Sequence, residues 1–157
     1  MAAQFDIAKE FELEGLLLTP GSAGVKAGIL EGATNNETGE SVAEYAAYNE
    51  FGTGDIPSRP FLRKTFDDNI DKWVDGFSKA LNHRSPRQSL QVLGIKMQDD
   101  IVDTIKSNMP PRNSAATIAK KTKAVTKSGS VVGTSNPGTL IDTGSMINAV
   151  NYEVFGI

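Results

Sequence analysis

The chain has 157 residues, enough for one domain with a sizeable core, and a formal net charge of −3. It contains no cysteine and only one histidine, which excludes a disulfide framework, a thiolate metal site and a histidine-rich metal site. No apolar run approaches the roughly 18 residues of a membrane span, and the N-terminus is too acidic for a signal peptide. We therefore expect a soluble protein made in the cytoplasm, with no membrane partner.

Charge is distributed unevenly along the chain. Residues 1–55 carry ten acidic and two basic side chains, residues 56–103 carry seven and eight, and residues 104–157 carry two and six. The acidic third of one copy could therefore meet the basic third of another, or basic loops could lie beside a polyanion. Two solvated faces of opposite charge are the simpler interpretation.

The chain before Ser41 contains one clear strand pattern. Residues 1–20 are expected to be an extended or mobile N-terminal segment. Within it, Phe11, Leu13 and residues 16–18 fit a short strand, whereas residues 8–14 fit a helical turn. Residues 25–30 alternate in the manner of a strand. Residues 32–41 are polar and contain glycine, which predicts a loop.

A short helix is predicted to begin after Ser41. Ser41 and Glu44 have the spacing of a capping box, in which each side chain satisfies a free N–H group at the helix start. Gly52 stands where a left-handed C-cap residue is favoured. The residues that share one face of this helix are Val42, Tyr45, Ala46 and Asn49.

Two long helices follow and are predicted to pack as antiparallel neighbours. Pro60 suits the first turn of the first helix, and the apolar stripe after it comprises Phe66, Ile70, Trp73, Val74, Phe77 and Leu81. Ser85, Pro86 and Gln88 begin the second, whose stripe comprises Leu90, Leu93, Met97, Ile101 and Ile105. The connection of about four residues favours an antiparallel pair.

Residues 111–139 are predicted to form a long basic loop with one short helix over residues 114–121. The cations of this loop, with no acidic residue among them, are Lys120, Lys121, Lys123 and Lys127. No aromatic residue is interleaved, so the loop suits contact with a DNA backbone or an acidic partner rather than base stacking. Order is expected to return near the C-terminus, where Asp142 or Thr143 caps a short turn and residues 149–155 form a closing strand.

The sequence contains no pattern typical of an active site. The carboxylates of the two long helices lie outside the apolar stripes, so we expect them on faces that contact solvent. They are Asp67, Asp68, Asp71, Asp75, Asp99, Asp100 and Asp103. His83 lies in the break between the long helices, away from any nucleophile pattern, and glycine-rich phosphate-binding motifs are absent. We therefore predict a protein that is not an enzyme, with no catalytic residues, no cofactor and no metal.

The turn before the first long helix holds the most distinctive residues: Glu50, Phe51, Pro57, Arg59, Pro60, Phe61 and Arg63. Arg59 and Arg63 place cations at a helix start, where the helix dipole disfavours them unless a carboxylate lies near. Glu50 or Asp55 could supply that carboxylate, and so could the acidic third of a neighbouring copy. We predict that the seven residues form a subunit interface. The alternative is that Phe51 and Phe61 are ordinary core residues.

The order of motifs resembles the tail-completion, or virion morphogenesis and neck, proteins of tailed bacteriophages. That family shows an EFGT turn followed by PxRPFxR and a long helix, and the same letters occur here at residues 50–53 and 57–63, with Ser58 where Ala is commoner. Residues 139–150 are similar to a later LxDTG motif of the family, with Met146 and Ala149 as departures. The similarity covers approximately residues 25–155.

The resemblance implies a structural virion protein in the neck or tail-completion ring at the head–tail junction. It implies a homo-oligomeric ring, a hexamer or dodecamer, that contacts other neck, connector or tail proteins. In such a ring the basic loop could contact packaged DNA without sequence specificity. The alternative function, from the residues themselves, is a DNA-backbone-binding accessory protein that acts through residues 120–127.

For the fold, the patterns predict a single α+β domain. Two long packed helices and a shorter helix lie against a small antiparallel sheet, which includes residues 25–30 and 149–155, and long loops connect these elements.

Overall fold

A computed structural model of the chain describes residues 23–29, 39, 41–115, 118, 140 and 145–156. Its elements are strand β1 (Gly24–Ile29), helices α1 (Val42–Phe51), α2 (Phe61–Leu81) and α3 (Pro86–Lys106), a short helix α4 (Ser145–Ala149) and strand β2 (Val150–Phe155). The predicted α+β class is confirmed, with two long helices, a shorter one and a two-stranded antiparallel sheet. None of the helices in these ranges has the length and apolarity to cross a membrane.

The two long helices pack against each other through the predicted stripes. In α3 the whole stripe is buried, from Leu90 to Ile105, and in α2 Trp73 and Phe77 are buried while Phe66 and Leu81 pack partly against the core. The capping box at the start of α3 is present, because Ser85 accepts from the Gln88 N–H and the Gln88 side chain accepts from the Ser85 N–H. These local patterns were sufficient to locate the start of α3 to the residue.

The start of α2 differs from the prediction. Pro60 is the N-cap residue rather than a member of the first turn, because its ψ of 69° is not helical, and the helix begins at Phe61. Proline has no side-chain oxygen, so it caps none of the free N–H groups that a helix start exposes. Those groups need an acceptor from elsewhere in the chain.

The sheet pairs β1 with β2 in one antiparallel register, from Gly24 opposite Phe155 to Ile29 opposite Val150. Both predicted strands are therefore confirmed, with boundaries that differ by one residue at each strand. Helix α3 crosses the sheet closely at Gly94, where a Cβ atom would overlap the ring of Tyr152. A side chain at position 94 would push the helix and the sheet apart, so this glycine sets their separation.

One carboxylate predicted on a solvated face lies elsewhere. Asp100 accepts a hydrogen bond from the Trp73 indole nitrogen at 2.8 Å and pairs with the Lys96 ammonium at 2.7 Å. Its hydrogen bond to Lys96 raises the pKa of that ammonium group, so Lys96 stays charged through neutral pH and loses its proton only in the alkaline range. The spacing along α3 predicted that Asp100 faces solvent. In the structure Asp100 faces α2, because the polar indole N–H of Trp73 requires an acceptor there.

The predictions for the remaining segments have mixed outcomes. Ser41 caps α1 as predicted, but the capping box is half-formed, because the Glu44 carboxylate accepts from the Tyr48 hydroxyl instead of the Ser41 N–H. Ala115 and Ile118 are helical, and the rest of the helix predicted over residues 114–121 is mostly outside the described residues. Residues 1–20, most of the basic loop, Asp142 and Thr143 are also outside them.

Replacing Trp73 by alanine should lower the free energy of unfolding by about 3–5 kcal/mol, the usual cost for a buried large aromatic side chain. Trp73 is buried, packs edge-on against Phe66 with ring centroids 5.9 Å apart, and donates to Asp100. Denaturant unfolding measures the loss. Ser78→Ala, at an exposed position of α2, is the control and should change stability by less than about 0.5 kcal/mol. Equal midpoints for the two variants would contradict this account of the core.

Candidate functional site at the turn between α1 and α2

The turn that joins α1 to α2 is closed by its own hydrogen bonds. Gly52 adopts a φ of 78°, and a Cβ atom there would lie 2.9 Å from the Ser58 nitrogen, so the turn requires glycine. The Thr53 N–H donates to the Ile56 carbonyl at 2.7 Å, and the Thr53 hydroxyl accepts from the Ile56 N–H at 3.0 Å. The Arg59 N–H then donates to the Asn49 carbonyl at 2.6 Å, which ties the end of the turn back to α1.

The carboxylate of Glu50 is the acceptor that the start of α2 needs. It is 3% exposed and accepts from the backbone N–H groups of Leu62 and Arg63, at 2.8 and 3.2 Å. These groups occupy the second and third positions of α2, which an N-cap side chain would normally satisfy. A residue of the preceding helix therefore caps α2, and its negative charge lies at the positive end of the helix dipole.

Arg63 completes this arrangement from the solvent side. Its Nε donates to the Glu50 carboxylate at 3.0 Å, and an Nη donates to the Glu50 backbone carbonyl at 3.1 Å. The sequence offered Glu50, Asp55 or a neighbouring copy as the partner for this arginine, and the structure gives Glu50, with Asp55 exposed in the turn. The cost of a cation near a helix start is offset because the carboxylate lies between the cation and the free N–H groups.

Arg59 is held inside the chain. It is 4% exposed, its Nε donates to the Pro111 carbonyl at 2.9 Å, and its Nη2 donates to the Asn113 side chain at 3.2 Å. The side chain thus fastens the segment after α3 to the turn before α2. Nothing in the local sequence pointed to Asn113, because more than fifty residues separate it from Arg59.

The seven residues predicted as a subunit interface divide into an inner and an outer set. Glu50, Arg59 and Phe61 are buried by the rest of the same chain, and Pro60 is partly buried. Burial within the chain means that these residues shape the turn and do not face a neighbouring molecule. Phe51, Pro57 and Arg63 are exposed, so any contact with a partner through this turn is made by them.

Two residues of the outer set, Phe51 and Arg63, form an exposed surface together with Tyr48, and we call these three residues the Phe51 surface. Phe51 is 59% exposed and Tyr48 is 41% exposed, and they lie three residues apart on α1 and so on one face. The Arg63 guanidinium lies over the Phe51 ring at 5.4 Å from its centroid. Sequence reasoning missed Tyr48, although its spacing from Phe51 was a signal that could have found it.

No group of three or more potential metal-ligating side chains lies together among residues 23–29, 41–115 and 145–156. Asp67, Asp68, Asp71 and Asp75 are exposed on α2, as expected for a solvated face. The predicted DNA or acidic-partner contacts, Lys120, Lys121, Lys123 and Lys127, lie outside the described residues.

Comparison with known proteins adds no relative: no family model, no curated protein and no solved structure matches this chain.

Replacing Glu50 by glutamine should destabilise the fold by about 1.5–3 kcal/mol, the range for hydrogen bonds to a charged group. A glutamine side chain has one acceptor oxygen for the three N–H groups that the carboxylate now serves. Denaturant unfolding measures this loss. Arg63→Gln should cost less than about 1 kcal/mol, since that guanidinium is half exposed. The reverse order would mean that the ion pair, and not the helix cap, is the stabilising part.

Replacing Arg59 by methionine should release the segment at 110–113 while the helices stay folded. The variant loses two hydrogen bonds and keeps the apolar part of the side chain. The free energy of local opening at residues 110–113 should therefore fall by about 1–2 kcal/mol, which raises the open population roughly 5- to 30-fold. Tryptic cleavage after the exposed Arg112, followed by mass spectrometry, should accelerate to match. Arg84→Met makes the same change in the exposed connection between α2 and α3 and should leave that cleavage rate unchanged.

Proposed function

We propose that this protein is a structural component of a tailed-phage virion, part of the neck or tail-completion ring at the head–tail junction. It works there as a homo-oligomeric ring, a hexamer or dodecamer, that contacts other neck, connector or tail proteins. It is made in the host cytoplasm and ends in the virion, and it catalyses no reaction. The sequence support is the resemblance of three motifs in the same order along the chain.

The structural observation behind this proposal is the Phe51 surface, held by a buried frame. A large aromatic ring that is mostly exposed beside a second exposed aromatic residue is uncommon on a surface that meets only water. Aromatic and arginine side chains are enriched where proteins meet one another and supply much of the binding energy there. The Phe51 surface combines two aromatic residues with an arginine, which favours a protein partner.

The frame explains why this motif combines buried and exposed residues. Glu50 accepts from backbone N–H groups at the start of α2, Arg59 donates to the Pro111 carbonyl in the segment after α3, and Gly52 allows the tight path of the turn. The exposed side chains are therefore presented by a segment that has few conformations to lose when a partner binds. A rigid surface keeps more of its contact energy as affinity, because ordering costs are small. Such a turn suits a protein that must assemble in one geometry.

Replacing Phe51 by aspartate should abolish ring formation while the monomer stays folded. The ring is 59% exposed, so its loss removes surface rather than core, and the new charge opposes burial in an interface. Negative-stain electron microscopy and sedimentation of parent and variant measure assembly, and a thermal melt measures folding. Ser78→Asp adds the same charge at an exposed position of α2 and should assemble like the parent.

Two results would contradict the proposal. A parent protein that forms no ring with a central opening, alone or with other virion proteins, would remove its basis. A Phe51→Asp variant that assembles as the parent does would place the interface elsewhere on the chain.

A further inference from the structure

The two edges of the sheet differ in how well they are covered. Five of the six residues of β1 are buried, whereas β2 has one buried residue, Val150. Within the described part of the chain, β1 is the only strand that pairs with β2. Among the described residues, no strand pairs with the other edge of β2, and an unpaired edge is a template for another strand.

Two side-chain hydrogen bonds identify which backbone groups face this open edge. The Gln98 side chain donates to the Val150 carbonyl at 2.9 Å, and the Asn151 side chain accepts from the Tyr152 N–H at 2.8 Å. In an antiparallel pair, alternate residues bond to the partner strand and the others point away. The backbone N–H and C=O groups of Val150, Tyr152 and Val154 therefore point away from β1. Those of Asn151, Glu153 and Phe155 bond to β1.

The same two bonds limit where a new strand can pair. The first half of the edge is occupied, because Gln98 covers the Val150 carbonyl and Asn151 covers the Tyr152 N–H. No side chain among the described residues covers the second half, which keeps an acceptor at the Tyr152 carbonyl, a donor and an acceptor at Val154, and a donor at Gly156. A long strand from an unrelated protein would have to displace both covering side chains, so the open groups favour a partner that needs only this short stretch.

We propose that the open half of β2 pairs with the same stretch of a second copy of this chain, about a two-fold axis at Val154. The Val154 N–H then donates to the carbonyl of the partner's Val154, and the Gly156 N–H donates to the carbonyl of the partner's Tyr152, each with its reciprocal bond. This pairing uses only the uncovered groups and leaves the Tyr152 N–H with Asn151. A symmetric contact of this kind requires a self-complementary surface, which the alternation at Val154 supplies.

Charge supports the same register. Pairing about Val154 places Glu153 opposite the partner's Phe155. Within one chain, the Lys26 ammonium lies 5.0 Å from the centre of the Phe155 ring. Glu153 of one copy thus approaches Lys26 of the partner subunit. A register centred on Glu153 would instead bring two carboxylates face to face, which is unfavourable.

Apolar surface on α3 lies beside this edge. Ile95 is 49% exposed and Val92 is 43% exposed, and Ile95 stands one turn before Gln98, the residue that reaches over the edge of β2. The sheet covers α3 at Gly94, which contacts the ring of Tyr152 on β2, the last described strand on that side. A further strand would lie across this part of α3 and remove Ile95 from water. The dimer is thus stabilised by apolar burial as well as backbone pairing, and it uses a surface separate from the Phe51 surface.

A single introduced cysteine tests the register directly, because the chain has none of its own. At the two-fold axis, the α-carbons of position 154 in the two copies should be about 5.5 Å apart, within the range for a disulfide. Val154→Cys should therefore give a disulfide-linked dimer as the main product of mild oxidation in dilute solution. Glu153→Cys, on the opposite face of the strand, should give little. Absence of the Val154→Cys product, or equal yields from both variants, would overturn the proposal.

Sedimentation equilibrium of the untreated protein gives an independent test. Val154→Pro removes the N–H group that would donate to the second copy and keeps the hydrogen bonds between β1 and β2, so the two-fold dimer should be lost. Val154→Thr keeps that N–H group and should dimerise like the parent. Thermal melts check folding, and if the proline variant fails to fold, the cysteine pair decides. A parent that stays monomeric overturns the proposal, and so does a folded proline variant that dimerises unchanged. Phe51→Asp should keep this dimer even if it loses rings, which separates a failure here from a failure of the proposed function.

Discussion

The carboxylate of Glu50, buried at the start of α2, joins α1 to α2. It belongs to the last turn of α1, yet it accepts the free N–H groups of Leu62 and Arg63 in the next helix. Proline at position 60 cannot cap α2 itself, so the direction of that helix depends on a residue from the preceding one. A buried carboxylate is costly unless several donors meet it, and here two backbone donors and one guanidinium do.

From that constraint follows the arrangement of the whole turn. With α1 and α2 held at Glu50, the chain between them has to close tightly, and Gly52 and Thr53 supply the conformation and the hydrogen bonds that allow it. Arg59 then points inward and binds the segment after α3, so the turn, both helices and residues 110–113 form one connected region. Phe51, next to the anchored Glu50, is left outside with Arg63 over its ring.

Helix α3 has a comparable role, because it packs against both α2 and the sheet. Its buried stripe faces α2, while Gly94 lets Tyr152 of the sheet approach closely. A sheet of two strands is too narrow to cover the helix, so Ile95 and Val92 remain exposed beside the edge of β2. The proposed ring surface and the proposed strand pairing thus arise from the same circumstance, a small core that leaves apolar side chains uncovered in two separate places.

Much of the fold could be predicted because its signals are local. The cap at Ser85, the spacing of Leu90 to Ile105 and the alternation in the two strands each depend on neighbours within a few residues. Periodicity of this kind decides which face of an element is buried, and so it located both long helices, both strands and the α+β class. The position of Arg59 and Arg63 at a helix start likewise indicated that residues 50–63 contain a nearby carboxylate or another partner, because the helix dipole disfavours cations there.

The partners themselves could be decided only by the tertiary structure. Three acceptors were open to Arg63 from sequence, and only the crossing of α1 and α2 selects Glu50 and buries it. Asp100 falls among exposed carboxylates on a helical wheel, but the packing of α2 places Trp73 against it. Phe51 and Phe61 carry the same side chain in one motif, and the first is exposed while the second is fully buried. Sequence determined which residues need a partner or a hydrophobic environment, and long-range packing decided which of them obtained one, because burial depends on segments far apart in the chain.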